Sequence, residues 1–404
     1  MSTDAIAATP EEVPEGFFGR VRDNIRGGNL GSWPVLIGLT VIVVFFSFKA
    51  DNFLSPGNFS NIITQMAGAT LLAYGVVFVL LIGEIDLSIS YISGIAGVVV
   101  GKLTIPDGNE VAGIVAILLA IAVCALIGAF QGSFVAFIGV PAFVVTLAGY
   151  QIWQGVIQKS IEGEGVIVIQ DSTVNNTANY FFSEKAGWIL AAIVLGIYIA
   201  SVVGTFVSHR RLGVPVRDPW LLVAKVIVVA AATVFVVVVS NRDRGVPFVL
   251  LLMIASLLVL TFIAKRTMFG RHVYAVGGNA EAARRSGINV ARVRLIVFMI
   301  SGAMAGLGGV VLAARLNSVD LAAGGGTLLI DAIAAAVIGG TSLFGGRGEV
   351  RDALFGALVI ATIANGLNTL NLTQGVIFIT TGGILLFAVT LDTVLRRRQR
   401  AAGR

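Results

Sequence analysis

Carboxylates and histidines are scarce in this chain, and their positions limit the chemistry open to it. Glu84 and Asp86 stand two apart in GEIDLS, Asp331 lies in TLLIDAIAAAVIGG, and the two histidines are His209 and His272. An acid between long apolar runs is a functional candidate, because charge inside a bilayer is expensive. A proton relay would set histidine beside these acids, yet both histidines fall in polar loops. The one cysteine, Cys124, sits in the apolar run 111–130 and reads as a small buried hydrophobe. No His and acid cluster has catalytic or ligand-like spacing, which argues against a membrane enzyme. No G-x-x-x-x-G-K-[ST] occurs, so the Gly-rich VIGGTSLFGGRGEV (337–350) reads as a tight break between two helices rather than a phosphate cradle. Amides remain: Gln65, Gln131, Gln151, Gln154, Asn365 and Asn368 all lie within apolar runs. Asn365 and Asn368 are three apart, on one face of a helix. With Gln65, Glu84, Asp86, Ser88 and Asp331 they are the candidates for lining a path for a hydroxyl-rich, uncharged solute. The bland alternatives are hydrogen bonds between helices for the amides, and a cap on the following helix for Asp86.

The elements that must position these groups are membrane helices. The 404 residues are 56% hydrophobic and 12% charged, with mean hydropathy +0.93, against about a quarter charged for a soluble domain. Apolar runs at 33–48, 61–83, 88–103, 111–130, 141–158, 187–207, 221–240, 246–264, 295–314, 327–340, 352–370 and 376–394 predict an all-α polytopic membrane protein of about twelve transmembrane helices. Those at 33–48, 88–103 and 327–340 are short and are expected to be short or broken helices within protein. If all twelve cross from a cytoplasmic N-terminus, twenty Lys and Arg fall inside and seven outside, with Lys225 in a span. That bias places both termini in the cytoplasm. It also explains the net charge of +6 without nucleic acid. The chain thus divides into a cytoplasmic tail 1–32, a membrane domain 33–395 and a basic tail 396–404, with 159–186 as the longest external loop. Segments 75–97 and 332–356 share a loose pattern of apolar helix, Gly and acid-bearing break, and Gly-spaced helix, as two internal halves would.

The inside loop 265–294 holds seven Lys or Arg. Within it, Asn279 is a good N-cap, AEAARRS is rich in helix formers, and Gly287 is a natural stop, so a short surface helix over 279–286 is expected.

GGNAEAARRSGI (277–288) resembles the cytoplasmic loop of permeases of ATP-binding cassette importers. GEIDLSIS (83–90) and IGGTSLFGGRGEV (338–350) resemble two signatures of one permease family, that of ribose, xylose and galactose importers and of branched-chain amino acid importers. The likeness runs over roughly 61–390; IDLS favours the sugar branch, and the length with an extra hairpin at 187–240 is most like the xylose type. The resemblance implies a multi-pass protein of the bacterial cytoplasmic membrane that performs no chemistry itself. It implies a second permease copy, ATPase subunits that bind the ATP and Mg, an extracytoplasmic sugar-binding protein, and no cofactor in this chain. It carries an ATPase-coupling role onto Gly278, Asn279, Glu281, Ala282, Ala283, Arg284, Ser286 and Gly287. The alternatives are a branched-chain amino acid permease, whose zwitterion would want charged partners, and an ion-coupled secondary transporter, for which Asp331 is the deepest available acid.

Overall fold

The computed structural model describes residues 33–106, 110–213 and 219–401; the tail 1–32 lies outside them. Every expected apolar run is helical. The helices are α1 (Trp33–Lys49), α2 (Pro56–Leu81), α3 (Ile89–Leu103), α4 (Gly113–Ser133) with a π turn Phe134–Ile138, and α5 (Ala142–Ile161). After strand β1 (Val166–Val168) come α6 (Ser172–Asn179), β2 (Phe181–Phe182), α7 (Glu184–Arg211), α8 (Pro219–Asn241), β3 (Val246–Pro247) and α9 (Phe248–Arg266). Then follow α10 (Met268–Gly278), α11 (Ala280–Arg285), α12 (Val290–Leu316), β4 (Ser318–Asp320), α13 (Leu328–Ile338), α14 (Val350–Thr369) and α15 (Gln374–Ala401). Among the described residues, seven are long and apolar enough to cross a membrane: α2, α4, α7, α8, α9, α12 and α14. The runs expected to be short are so: α1, α3 and α13 have 17, 15 and 11 residues.

The core is built around α2 and α12. From Ser60 onward α2 is almost wholly buried, and its start is fixed by Ser55, whose Oγ accepts from Asn58 N at 3.3 Å, with Pro56 following. Helix α12 packs on α4, α2 and α3, crossing α4 where Gly128 and Gly302 face each other. Small residues at such a crossing let backbones approach without side chains between them. The extra hairpin is real but peripheral. Helices α7 and α8 pack on each other, and only 6% of each apolar stretch is buried.

Contacts between distant loops sort them into two ends. At the Asn317 end, β1 pairs antiparallel with β4 (Val166 with Asp320) and β2 with β3 (Phe182 with Val246), while Arg244 bonds Asn61 at 3.1 Å. At the Gly83 end, segments 81–84, 265–294 and 339–349 meet.

Both long loops hold more structure than their composition suggests. The 159–186 segment contains β1, β2 and α6, which starts at Asp171, whose Oδ1 accepts from Val174 N at 2.8 Å. The 265–294 segment contains all of α10, and α12 starts within it at Val290, capped by Asn289 accepting from Arg292 N at 2.9 Å. Polar caps and charged first turns masked these helices, because the apolar run starts only at 295. The basic tail continues α15 as helix through Ala401.

The 317–327 segment descends into the bundle along α3. A Cβ on Gly101 would meet Ile167, on Gly97 Val319, and on Gly94 Ala323 O, while one on Gly324 would meet Ser90 O. That descent explains the shortness of α13: it begins at depth and completes only half a crossing. Its inner side is packed on α3, and non-helical backbone at this depth is tolerated where it is packed on protein or lines a wet cavity.

Candidate functional site

The expected surface helix is present. Asn279 Oδ1 accepts from Ala282 N at 2.9 Å, closing the first turn of α11. Ser286 Oγ donates back to Ala282 O at 3.0 Å, and Gly287 ends the helix at φ +84°, a left-handed conformation that suits glycine. Ile288 N then bonds Ala283 O at 3.1 Å. Glu281 faces solvent with Arg284 (3.3 Å) and Arg285 (3.2 Å), and Ala283 turns inward. The helix is therefore an exposed, doubly capped knob.

What holds it is a junction of three segments. Gly346 N donates to Leu81 O at 2.9 Å. Gly277 sits against both, since a Cβ there would lie 1.7 Å from Leu81 O and 2.6 Å from Gly346 N. Tyr274 donates its hydroxyl to Gly348 O at 2.8 Å, Lys265 pairs with Glu349 at 2.6 Å, and Arg294 pairs with Glu84 at 3.0 Å. Burial, reinforced by Glu349 and Asp352, pushes the Tyr274 hydroxyl up to about 12, so it stays a donor. Burial also raises the Glu84 carboxyl, and the Arg294 guanidinium opposes that rise. The helix bearing α11 is thus joined to the breaks that end α2 and α13. The sequence flagged Glu84 but not its partner: Arg294 looked like one of seven loop cations.

Asp86 and Ser88 occupy a buried polar cluster. Asp86 Oδ1 accepts from Ser88 N (3.0 Å) and Ser88 Oγ (2.7 Å), and Oδ2 accepts from Ser301 Oγ of α12 at 3.0 Å. Ser88 Oγ also lies 2.8 Å from Gln131 Oε1 on α4. Asp86 therefore joins the residue that precedes α3 to α12, and reaches Gln131 of α4 through Ser88. Ser301, in the unassuming stretch SGAMAG, gave no signal of its own.

The other candidates are dispersed. Gln65 is half-buried on α2. Asp331 accepts from Thr327 Oγ1 at 2.7 Å, in the first turn of α13, where an acid complements the helix dipole. Asn365 is buried and its Oδ1 accepts from Asn58 Nδ2 at 2.9 Å, tying α14 to α2, whereas Asn368 is exposed near the end of α14. One helix face does carry both amides, but their surroundings differ. Among the described residues no group of three metal-ligating side chains converges.

The family model described as "Branched-chain amino acid transport system / permease component" matches residues 58–391. The chain is 36% identical over 378 residues to the xylose transport system permease protein XylH of Haemophilus influenzae, covering 93% of this chain and 99% of that one. It is 35% identical over 375 residues to the XylH of Escherichia coli K12 (93% and 94% covered) and 32% identical over 357 residues to the ribose import permease protein RbsC of the same organism (88% and 92%). No solved structure matches the chain. With a match spanning most of its length and near-full-length relatives, this multi-pass membrane protein belongs to the family of branched-chain amino acid transport system permease components.

Proposed function

We propose that this chain is the pore-forming subunit of an ATP-driven importer for xylose or a closely related monosaccharide in a bacterial cytoplasmic membrane. The observation that carries the reading is the near-full-length similarity to permeases named for xylose, with others named for ribose and allose. In this reading the Gly83 end is cytoplasmic, both termini lie on that side, and two copies of the chain enclose the path. Separate ATPase subunits bind ATP and Mg and dock on α11, and a sugar-binding protein delivers solute at the Asn317 end. The three-segment junction supports the coupling part. Force applied to α11 passes through Gly277, Tyr274 and Arg294 to the breaks at 82–88 and 339–349, without a flexible linker between.

The test is uptake by proteoliposomes holding the chain with its ATPase and binding protein. Xylose uptake should need ATP hydrolysis, and Gly287→Pro should abolish it while leaving the protein in the membrane. Proline cannot adopt φ +84° and lacks the N–H that Gly287 gives to Arg284 O at 3.0 Å. Uptake driven by an ion gradient instead of ATP would overturn the assignment, and normal uptake by Gly287→Pro would overturn the role of α11.

A further inference from the structure

Helix α5 is twenty residues long yet is not among the helices apolar enough to cross a membrane. The cause is a set of glutamines. Its packed face is Ala142, Thr146, Gly149 and Ile157. On the opposite face, spaced i, i+3, i+7, stand Gln151, Gln154 and Gln158, of which Gln151 and Gln158 are exposed and Gln154 is half-buried. Gln151 lies ten residues from the helix end, which at 1.5 Å per residue is about 15 Å, near the middle of a hydrocarbon layer about 30 Å thick. An amide facing lipid at that depth would forfeit hydrogen bonds worth several kcal/mol, in order of magnitude. Gln151 must therefore face something polar, while Gln154 and Gln158 lie one and two turns nearer the helix end.

The surroundings say what. At the Asn317 end the stripe opens into a cleft of about 780 Å³ lined by Gly155, Gln158, Glu162 and Leu321. Its rim carries the ion pairs Lys159–Glu162 and Lys102–Glu164. The descending segment borders the same helix: Ala323 O and the Ile157 side chain both lie 2.6 Å from where a Cβ on Gly94 would sit. Polar side chains therefore run from an open cleft towards the membrane midplane, beside exposed non-helical backbone at Ala322 and Gly326. Below Gln151 the same face continues as Leu147 and Val144, exposed and wholly apolar.

We infer that the α5 face Gln151–Gln154–Gln158, entered through the cleft that Gln158 shares with Leu321, is the outer half of the solute path and takes a neutral polyhydroxylated solute. A primary amide offers one acceptor and two donors and no net charge, which suits hydroxyls that both give and accept hydrogen bonds. Fixed charges, which would trap counter-ions, are confined to the rim. The apolar step at Leu147 and Val144 marks where the wetted part ends. The inference rests on the importer reading above.

The experiment uses the reconstituted complex with single cysteines at 151, 154 or 158 in a Cys124→Ala background, Cys124 being buried. A charged, membrane-impermeant thiol reagent should modify each site, and xylose should slow the reaction. Gln151→Leu with Gln154→Leu should lower uptake about tenfold, the loss of one to two solute hydrogen bonds, with ATPase binding unchanged. The inference is overturned if only lipid-soluble reagents react, or if cysteines of two copies cross-link without labelling, which would make the face a seam. Normal uptake by the leucine variant, or protection by leucine but not xylose, also overturns it. ATP-driven xylose uptake by the unaltered complex alongside inert cysteines would sink this inference and leave the importer reading standing. Absence of that uptake, with cysteines that label, would sink the importer reading instead.

Discussion

Gly277→Ala tests the junction that fixes α11. The added Cβ would stand 1.7 Å from Leu81 O and 2.6 Å from Gly346 N. Both obstacles are backbone, so no rotamer change relieves them. Raising 1.7 Å to the 3.0 Å below which real Cβ contacts essentially never fall moves that carbonyl by about 1.3 Å. That displacement breaks the 2.9 Å bond between Gly346 N and Leu81 O. Overpacking costs about 1–3 kcal/mol and a lost backbone bond about 1 kcal/mol net, so the expected destabilisation is about 2–4 kcal/mol. The neighbouring Gly278→Ala is the control: its Cβ meets nothing within 4 Å, and as a helical residue it should be neutral or gain up to about 1 kcal/mol. Unfolding of the purified protein in mixed micelles, titrated with denaturing detergent, reads both. If the two alanines behave alike, the interlocking of segments 81–83, 277–278 and 345–348 is wrong.

Asn279→Ala removes the cap of α11 and should cost about 1 kcal/mol locally; amide exchange over 280–285 should accelerate about fivefold, and Asn279→Asp should restore protection. Asp86→Ala strands Ser88 and Ser301 in a buried site at about 1–3 kcal/mol, measured by the same detergent titration, with Asp86→Asn expected to retain part of the stability. Glu84 gives a pH signature. Burial raises its carboxyl above the ordinary 4.5 despite Arg294, so the folded state holds that proton more tightly than the unfolded chain. Stability therefore falls as pH rises from 4.5 through the raised value. Glu84→Gln should flatten that decline, and identical pH profiles for the two proteins would refute the burial argument.

The helices lying on the twelve apolar runs were legible because such runs report themselves residue by residue. So was α11, whose start and stop are signalled by Asn279 and Gly287. Asp86 stood out as an acid beside the start of α3, but its tie to α12 did not, because Ser301 lies 215 positions away and carries no local mark. The junction was invisible for a similar reason: it is made by backbone atoms of Leu81, Gly277 and Gly346, and a glycine in sequence does not say what it touches. Asn365 and Asn368 show the limit of periodicity, which placed both on one face without showing that one would bond Asn58 and the other face outward. The depth of segment 317–327 was hidden in LAAGGG, which reads as an ordinary loop until its contacts with α3 are seen.

The brevity of α13 also bears on how the protein is made. At 1.5 Å per residue its 11 residues reach about 16 Å, half the hydrocarbon thickness. A segment so short cannot be retained in lipid by its own hydrophobicity as it leaves the ribosome. Its packing partners are α2, synthesised long before it, and α14 and α15, synthesised after it. The centre of the molecule must therefore close late, once translation has passed residue 374. By contrast, α7 and α8 are long enough to cross on their own and pack on each other as a hairpin as soon as they emerge. Biosynthesis is thus expected to leave an intermediate with the periphery in place and the α13 seat still open, and chains truncated before α14 should be the ones that quality-control proteases remove.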